Sequence, residues 1–346
     1  TQIESSKLNA WGLYRLALRG KADSTHVNHA IQLLATTVSE QDRLAAAHFF
    51  SRTTLKIDLA EQSLVQTLGS DSSAYVRMAV ASALRKIVSA EVLQALKEAA
   101  ANDNDYRVRV NAVRALATFP VDDVAQNLIE ALKDEGEPVA IAAAETIASL
   151  NFEEQTQLLS QQVQTTNSWR VKGNLYESLL ASGKNSDEVV EEIIAQFKST
   201  ENPYGQAALL TALRQAPAAH LFVQEQLDSS VPVIKSSAAA ALVSMKQAFI
   251  DAYRKGMQTG DAAVIGTIAA ALMNPSLNYK MLITDYQFLY EAKSKLSLPR
   301  DNEALQPLEA AIAYFENREL EKPVANEFNH PIDWEFVKAI PRDQQV

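Results

Sequence analysis

The side chains that could do chemistry are few and scattered in this sequence of 346 residues. His26 and His29 are three apart, a spacing that puts both rings on one helix face and offers two nitrogens to a metal. Zinc wants four ligands, and the sequence supplies neither a cysteine nor an obvious third ligand. Asn102-Asp103-Asn104-Asp105 has the oxygen density of a calcium loop. It lacks the glycine and the distal glutamate of an EF-hand, so these residues are expected to cap the helix that follows. The adjacent acids Asp122-Asp123, Glu153-Glu154 and Glu191-Glu192 do not face each other on a helix; they suit helix starts, so no acid/base pair follows from them. His48, between Ala47 and Phe49, is expected to be packed. No Gly-rich phosphate loop, Gly-x-Ser-x-Gly elbow or His-Glu-x-x-His is present. The residues imply no catalytic group, no metal and no cofactor.

One charged pattern recurs, Asp71 with Arg77 and Asp103 with Arg109, and it belongs to a larger repetition. Tyr75-Val76-Arg77-Met78-Ala79-Val80-Ala81-Ser82-Ala83-Leu84 is echoed by Arg107-Val108-Arg109-Val110-Asn111-Ala112-Val113-Arg114-Ala115-Leu116. Val76 and Val108 are 32 residues apart, as are Leu84 and Leu116. Self-similarity at such a period means a stacked array in place of a single globular core. The late apolar residues Leu16, Phe50, Leu84, Leu116, Ile147, Leu179, Leu213, Leu242 and Leu272 follow one another at steps of 29 to 34 residues. Nine helix pairs fit that ruler.

Within a unit, both helices can be read from apolar spacing. In the third, the first helix is expected over residues 55–68, ending at Gly69, and the second presents Val76, Val80, Ala83, Leu84 and Ile87 on one face. Pro120 stops a helix, and Pro138 and Pro203 stand near helix starts. After Pro275 the period is lost. Two further helices, over residues 277–289 and 304–315, are expected to form a cap. Pro323, Pro331 and Pro341 forbid a long helix beyond residue 321. The organisation expected is an array over 1–275, a helical cap over 276–320 and an extended tail over 321–346, leading toward a downstream domain. The start at Thr1 reads as a processed end.

Composition agrees with an all-α chain. Hydrophobic residues make up 47% and aromatics only 7%, while alanine recurs in runs such as Ala45-Ala46-Ala47 and Ala238-Ala239-Ala240-Ala241. Small, helix-favouring residues let helices approach closely. A formal charge of −10 argues against nucleic acid or an anionic bilayer as the main partner. No apolar run reaches the ~18–20 residues of a membrane span.

The frame Asp-x-x-x-x-Val-Arg-x-x-Ala-x-x-Ala-Leu resembles HEAT repeats, in particular the short HEAT-like type of phycobilin lyases and many bacterial proteins. Asp103, Val108-Arg109, Ala112 and Ala115-Leu116 match it throughout; Asp71, Val76-Arg77 and Ala83-Leu84 match with Val80 for the first alanine. Later units depart, with Lys172 for the arginine and only the apolar frame at Gly205-Gln206 and Ile234-Lys235. The resemblance implies a right-handed α-α superhelix, a HEAT/armadillo-like solenoid. It also implies that the Asp and Arg residues form ladders between neighbouring turns. His330-Pro331-Ile332-Asp333-Trp334 resembles the segment that leads into a cyclophilin-type peptidyl-prolyl isomerase domain of bacterial multidomain proteins. That second resemblance implies a scaffold presenting protein or peptide chains to an attached catalytic domain, in an exported or periplasmic setting. A tetrapyrrole-handling protein and a stand-alone scaffold are the alternatives. Binding is expected on the face of the second helices, through Arg77, Asn111, Arg114, Trp169, Arg170, Lys172, Asn174 and Glu177, with Tyr75, Tyr106 and Tyr204 near the turns.

Overall fold

The computed structural model describes residues 10–35, 37–150, 152–296 and 302–318. Among them every regular element is a helix. The expected tail, with its His330-to-Trp334 segment, lies outside the described residues. The chain divides into two compact units, Thr1–Met245 and Lys246–Val346.

In the first unit the helices are α1 (Ala10–Leu18), α2 (Ser24–Leu33), α3 (Glu40–Arg52), α4 (Glu61–Ser70), α5 (Ala74–Leu84), α6 (Ala90–Asn102), α7 (Tyr106–Leu116) and α8 (Val121–Ala131). They continue as α9 (Glu137–Ser149), α10 (Thr156–Thr165), α11 (Trp169–Ala181), α12 (Ser186–Ser199), α13 (Pro203–Ala212), α14 (His220–Glu225) and α15 (Pro232–Ser244). Odd-numbered helices pack successively on one another from α1 to α15, and each even-numbered helix packs on the odd one after it. Two layers result, with second helices in one and first helices in the other. This is the α-α superhelical array expected from the period.

The core lies between the layers. Phe50, Leu84, Leu116, Ile147, Leu179, Leu213 and Leu242 are all buried. Leu16 is half-buried, and its place is taken by Leu13 and Ala17. Burying such a side chain stabilises by roughly 1.5–3 kcal/mol. Small residues set how closely the odd helices approach. A Cβ at Gly173 would stand 2.9 Å from the Ala208 carbonyl oxygen, and one at Gly205 would stand 2.7 Å from the Trp169 ring. Only hydrogen fits at either point.

From α5 to α15 the turn before each second helix is built one way, although its residues change. Asp71, Asp103 and Asp134 accept the backbone N–H two residues on, at 2.7–2.9 Å. Thr166, Thr200 and Ser229 accept the same bond through a hydroxyl at 3.1–3.3 Å. A short side-chain oxygen mimics a backbone turn at each site. The next cap follows at once: Ser73, Asp105, Ser168 and Asn202 accept from the first turns of α5, α7, α11 and α13. The Asn102-to-Asp105 stretch is therefore a turn and cap, as its missing glycine predicts.

Some boundaries differ from those expected. α4 begins at Glu61 after a short 3₁₀ turn, because Ile57 is buried from a non-helical segment in which Thr53 Oγ1 accepts the Leu55 N–H at 3.2 Å. Gly69 does not end that helix; it lies inside the last turn, and Asp71 is the cap.

The second unit contains α16 (Ile250–Gln258), α17 (Ala262–Leu272), α18 (Tyr279–Leu282), α19 (Gln287–Lys295) and α20 (Asn302–Glu316). α17 packs on α16 and α20, and α19 on α16 and α20. The helix expected over 277–289 is broken in two, with Ile283 extended and buried between the pieces. Gly266 lets α17 approach α20, since a Cβ there would meet the Ala304 Cα at 3.3 Å. Tyr253 and Tyr279 are buried with their hydroxyls 3.3 Å apart, and Tyr253 donates to the Gln247 carbonyl.

Candidate interaction surface

The recurring arginines and aspartates form one continuous ladder. Arg43 holds both oxygens of Asp71 through Nε at 2.7 Å and Nη2 at 3.0 Å. Arg77 does the same to Asp103 at 2.7 and 2.8 Å, and Arg109 to Asp134 at 2.8 and 2.9 Å. The third nitrogen, Nη1, donates to a carbonyl of the arginine's own turn: Val38, Asp71 and Asp103 respectively. Each aspartate thus joins its own turn to the arginine of the repeat before. These side chains are nearly buried, and bonding to aspartate raises each arginine's pKa. Bidentate charge-assisted bonds are strong and geometrically exacting, which suits them to fixing the stacking of repeats. The ladder stops where Ala140 takes the arginine's place and Thr166 the aspartate's.

This geometry sorts the residues expected on the binding face. Arg77 directs Nε, Nη1 and Nη2 into the ladder. Glu177 is buried and accepts from Arg214 Nε at 2.8 Å and Gln215 Nε2 at 3.1 Å, so it joins α11 to the end of α13. Trp169 is half-buried over Gly205, with the Lys172 ammonium 5.1 Å from its ring centroid. Asn174 Nδ2 donates to the Arg170 carbonyl at 3.0 Å. Asn111 lies between Ser82 Oγ, from which it accepts, and the Arg107 carbonyl, to which it donates.

Arg114, Arg170 and Asn111 meet at one place. They line a groove of about 340 Å³ across α5, α7, α9 and α11, together with Met78, Tyr106, Arg107, Val110, Pro138, Ile141 and Glu145. Arg114 donates to one oxygen of Glu145 at 3.0 Å and Arg170 to the other at 3.1 Å. Arg107 pairs with Asp105 at 2.7 Å and lies 4.5 Å over the Tyr75 ring. The bonds from Arg107 hold the Asp105 carboxyl down to about 2. Tyr75, Tyr106 and Tyr204 are exposed at 50%, 46% and 73%.

His26 and His48 have structural surroundings. His26 is drawn into the capping box of α2 with Asp23, where its Nδ1 accepts the Asp23 backbone N–H at 3.1 Å. His48 is half-buried against Trp11 and Tyr14, and burial lowers its pKa. Among the described residues no group of three His, Cys, Asp or Glu side chains could hold a metal ion. Among them, too, no helix is long and apolar enough to cross a membrane.

Residues 27–109 and 99–180 match the model of the HEAT repeats family. Over residues 27–180, less than half of the chain, the array is similar to HEAT repeats. One similar solved chain belongs to a homology model of the full-length AP-3 complex in an intermediate open conformation. It is 14% identical with a TM-score of 0.53, over 82% of this chain and 56% of that one. Another comes from a structure in which Kap95p binding induces the switch loops of RanGDP to adopt the GTP-bound conformation. That chain is 14% identical with a TM-score of 0.54, over 93% of this chain and 49% of that one. The chain therefore spans about half the length of these two chains, and at this identity the likeness is one of fold. Among curated proteins none matches.

Several residues of the ladder and the groove were not identified from the sequence. Arg43 and Asp134 extend the ladder at both ends, but neither stands in the full repeated frame. Met78, Val110 and Ile141 occupy equivalent places in three second helices, so the period that revealed the core could have revealed them as well.

Proposed function

We propose that this chain is a non-catalytic protein-binding scaffold whose second-helix layer receives the partner. The observation that carries this is the groove across α5, α7, α9 and α11. There the half-buried Met78, Val110 and Ile141 adjoin exposed arginine and tyrosine, the residue types that dominate binding hot spots. HEAT repeats stacked in this way expose an extended face suited to another chain.

The test is site-specific photo-crosslinking. Tyr75 and Tyr106, on second helices, are each replaced by p-benzoylphenylalanine, as are the exposed first-helix residues Glu98 and Gln126. Partner adducts from the tyrosine positions and none from the first-helix positions support the reading. The reverse pattern refutes it.

The finer proposal is that the scaffold serves an attached cyclophilin-type isomerase, holding a chain while that domain accelerates the slow cis/trans step at proline. It rests on the resemblance of His330-Pro331-Ile332-Asp333-Trp334 and is tested by the coding sequence beyond Val346. A cyclophilin-like strand there supports it, and a stop codon removes it.

A further inference from the structure

The groove across α5, α7, α9 and α11 points to a partner of particular chemistry, an inference that rests on the protein-binding reading above. Its floor is apolar, with Met78, Val110 and Ile141 each coming from one of three successive second helices. Its charged lining consists of Arg107, Arg114 and Arg170 against the acid Glu145. Arg107 is matched by Asp105. Arg114 and Arg170, with side chains 49% and 68% exposed, share the single Glu145 carboxylate, one oxygen each. A guanidinium carries five N–H donors, and each of these two directs one at Glu145, so donors remain for a second carboxylate. In the ladder every arginine has its own aspartate. In the groove positive charge exceeds negative, on a chain of net charge −10.

We infer that this groove binds an acidic peptide segment. Its carboxylates are received by Arg114 and Arg170, and an apolar side chain beside them lies on Met78, Val110 and Ile141. Arginine is the residue suited to planar, two-point recognition of carboxylate. A basic segment would meet like charges, which suppresses wrong partners at a cost in binding. Glu145 has the role of an internal competitor: it occupies the guanidiniums until a ligand carboxylate arrives. That role separates this assignment from a structural one, because removing Glu145 should improve binding.

The probes are three fluorescein-labelled peptides of alternating Glu-Leu, Gln-Leu and Lys-Leu, titrated into the full chain by fluorescence anisotropy. The Glu-Leu peptide is expected to bind at least about tenfold more tightly than the Gln-Leu peptide, a difference near 1.4 kcal/mol. Added salt should shrink that advantage. Arg114→Glu with Arg170→Glu should abolish it with the thermal melt unchanged, and Glu145→Gln should raise Glu-Leu affinity several-fold. Equal binding of the Glu-Leu and Gln-Leu peptides overturns the inference, as does weakened binding in Glu145→Gln. A concentration-dependent dimer lost in the double arginine variant would assign the groove to a second copy of the chain and also overturn it. If the Tyr106 photo-crosslinker captures a partner while all three peptides bind alike, the acidic assignment fails and the protein-binding reading survives. If it captures none, that reading itself fails.

Discussion

Arg77 and Asp103 show how much one residue pair can carry. Their side chains are 15% and 7% exposed, and both carboxylate oxygens are held. Truncating one partner leaves a buried charge unmatched, at a typical cost of about 3–5 kcal/mol. Arg77→Ala should therefore lower stability by an amount in that range in chemical denaturation, and adding Asp103→Ala should return part of the loss. Asp105 gives a prediction in pH. Bonding to Arg107 depresses its folded-state pKa from 3.8 to about 2, so its contribution is present above pH 3.8 and is lost as pH falls toward 2. Thermal melts across that window should show a falling midpoint, with a shallower fall in Asp105→Asn. The residue types of the ladder were legible in sequence, but the register was not. Asp71 and Arg77 stand in one repeat, and the natural pairing joins them. In the fold, Arg77 gives Asp71 only its carbonyl bond and reaches forward to Asp103, because the next turn stacks beside its guanidinium.

At the scale of elements, close approach overrides helix propensity. Alanine is better than glycine in a helix by about 1 kcal/mol. At Gly173, however, the new methyl would press on the Ala208 carbonyl of α13 at 2.9 Å, and overpacking of this kind costs about 1–3 kcal/mol. Gly173→Ala should thus be destabilising in urea melts; an increase in stability would show that α11 and α13 separate freely. The ladder's end gives a second test. Ala140 and Thr166 stand where Arg and Asp stand in earlier repeats, and Ala140 is buried. Ala140→Arg alone should destabilise, and Thr166→Asp should rescue it, with a coupling energy of about 0.5–3 kcal/mol in a double-mutant cycle. Helix pairs were legible because apolar spacing and turn residues recur together. Their edges were not where a buried apolar residue belongs to a non-helical segment. Leu55 and Ile57 continue a helical pattern, yet Ile57 fills the core from outside α4. Likewise a single apolar run over 277–289 hides the break at Ile283.

At the scale of the molecule, a repeated fold leaves its function to the positions that break the repeat. The period fixed which residues are buried and which link neighbours, and both classes recur from unit to unit. Asn111, Arg114 and Arg170 were legible as surface residues from their offset to the core. Their meeting around Glu145 was not, since it depends on α7, α9 and α11 lying side by side. Glu177 has the same offset as Arg114, six residues past the buried valine of its helix, yet it is drawn into the array's own bonds, a difference set by what the adjacent turn offers. The most direct measurement is hydroxyl-radical footprinting of the full chain, free and with bound Glu-Leu peptide. Tyr75, Met78 and Tyr106 border or line the groove, while Leu158 and Leu221 are exposed on first helices. Binding at the second-helix layer predicts slower oxidation of Tyr75, Met78 and Tyr106 with Leu158 and Leu221 unchanged. Protection of Leu158 and Leu221 with the other three unchanged would contradict it.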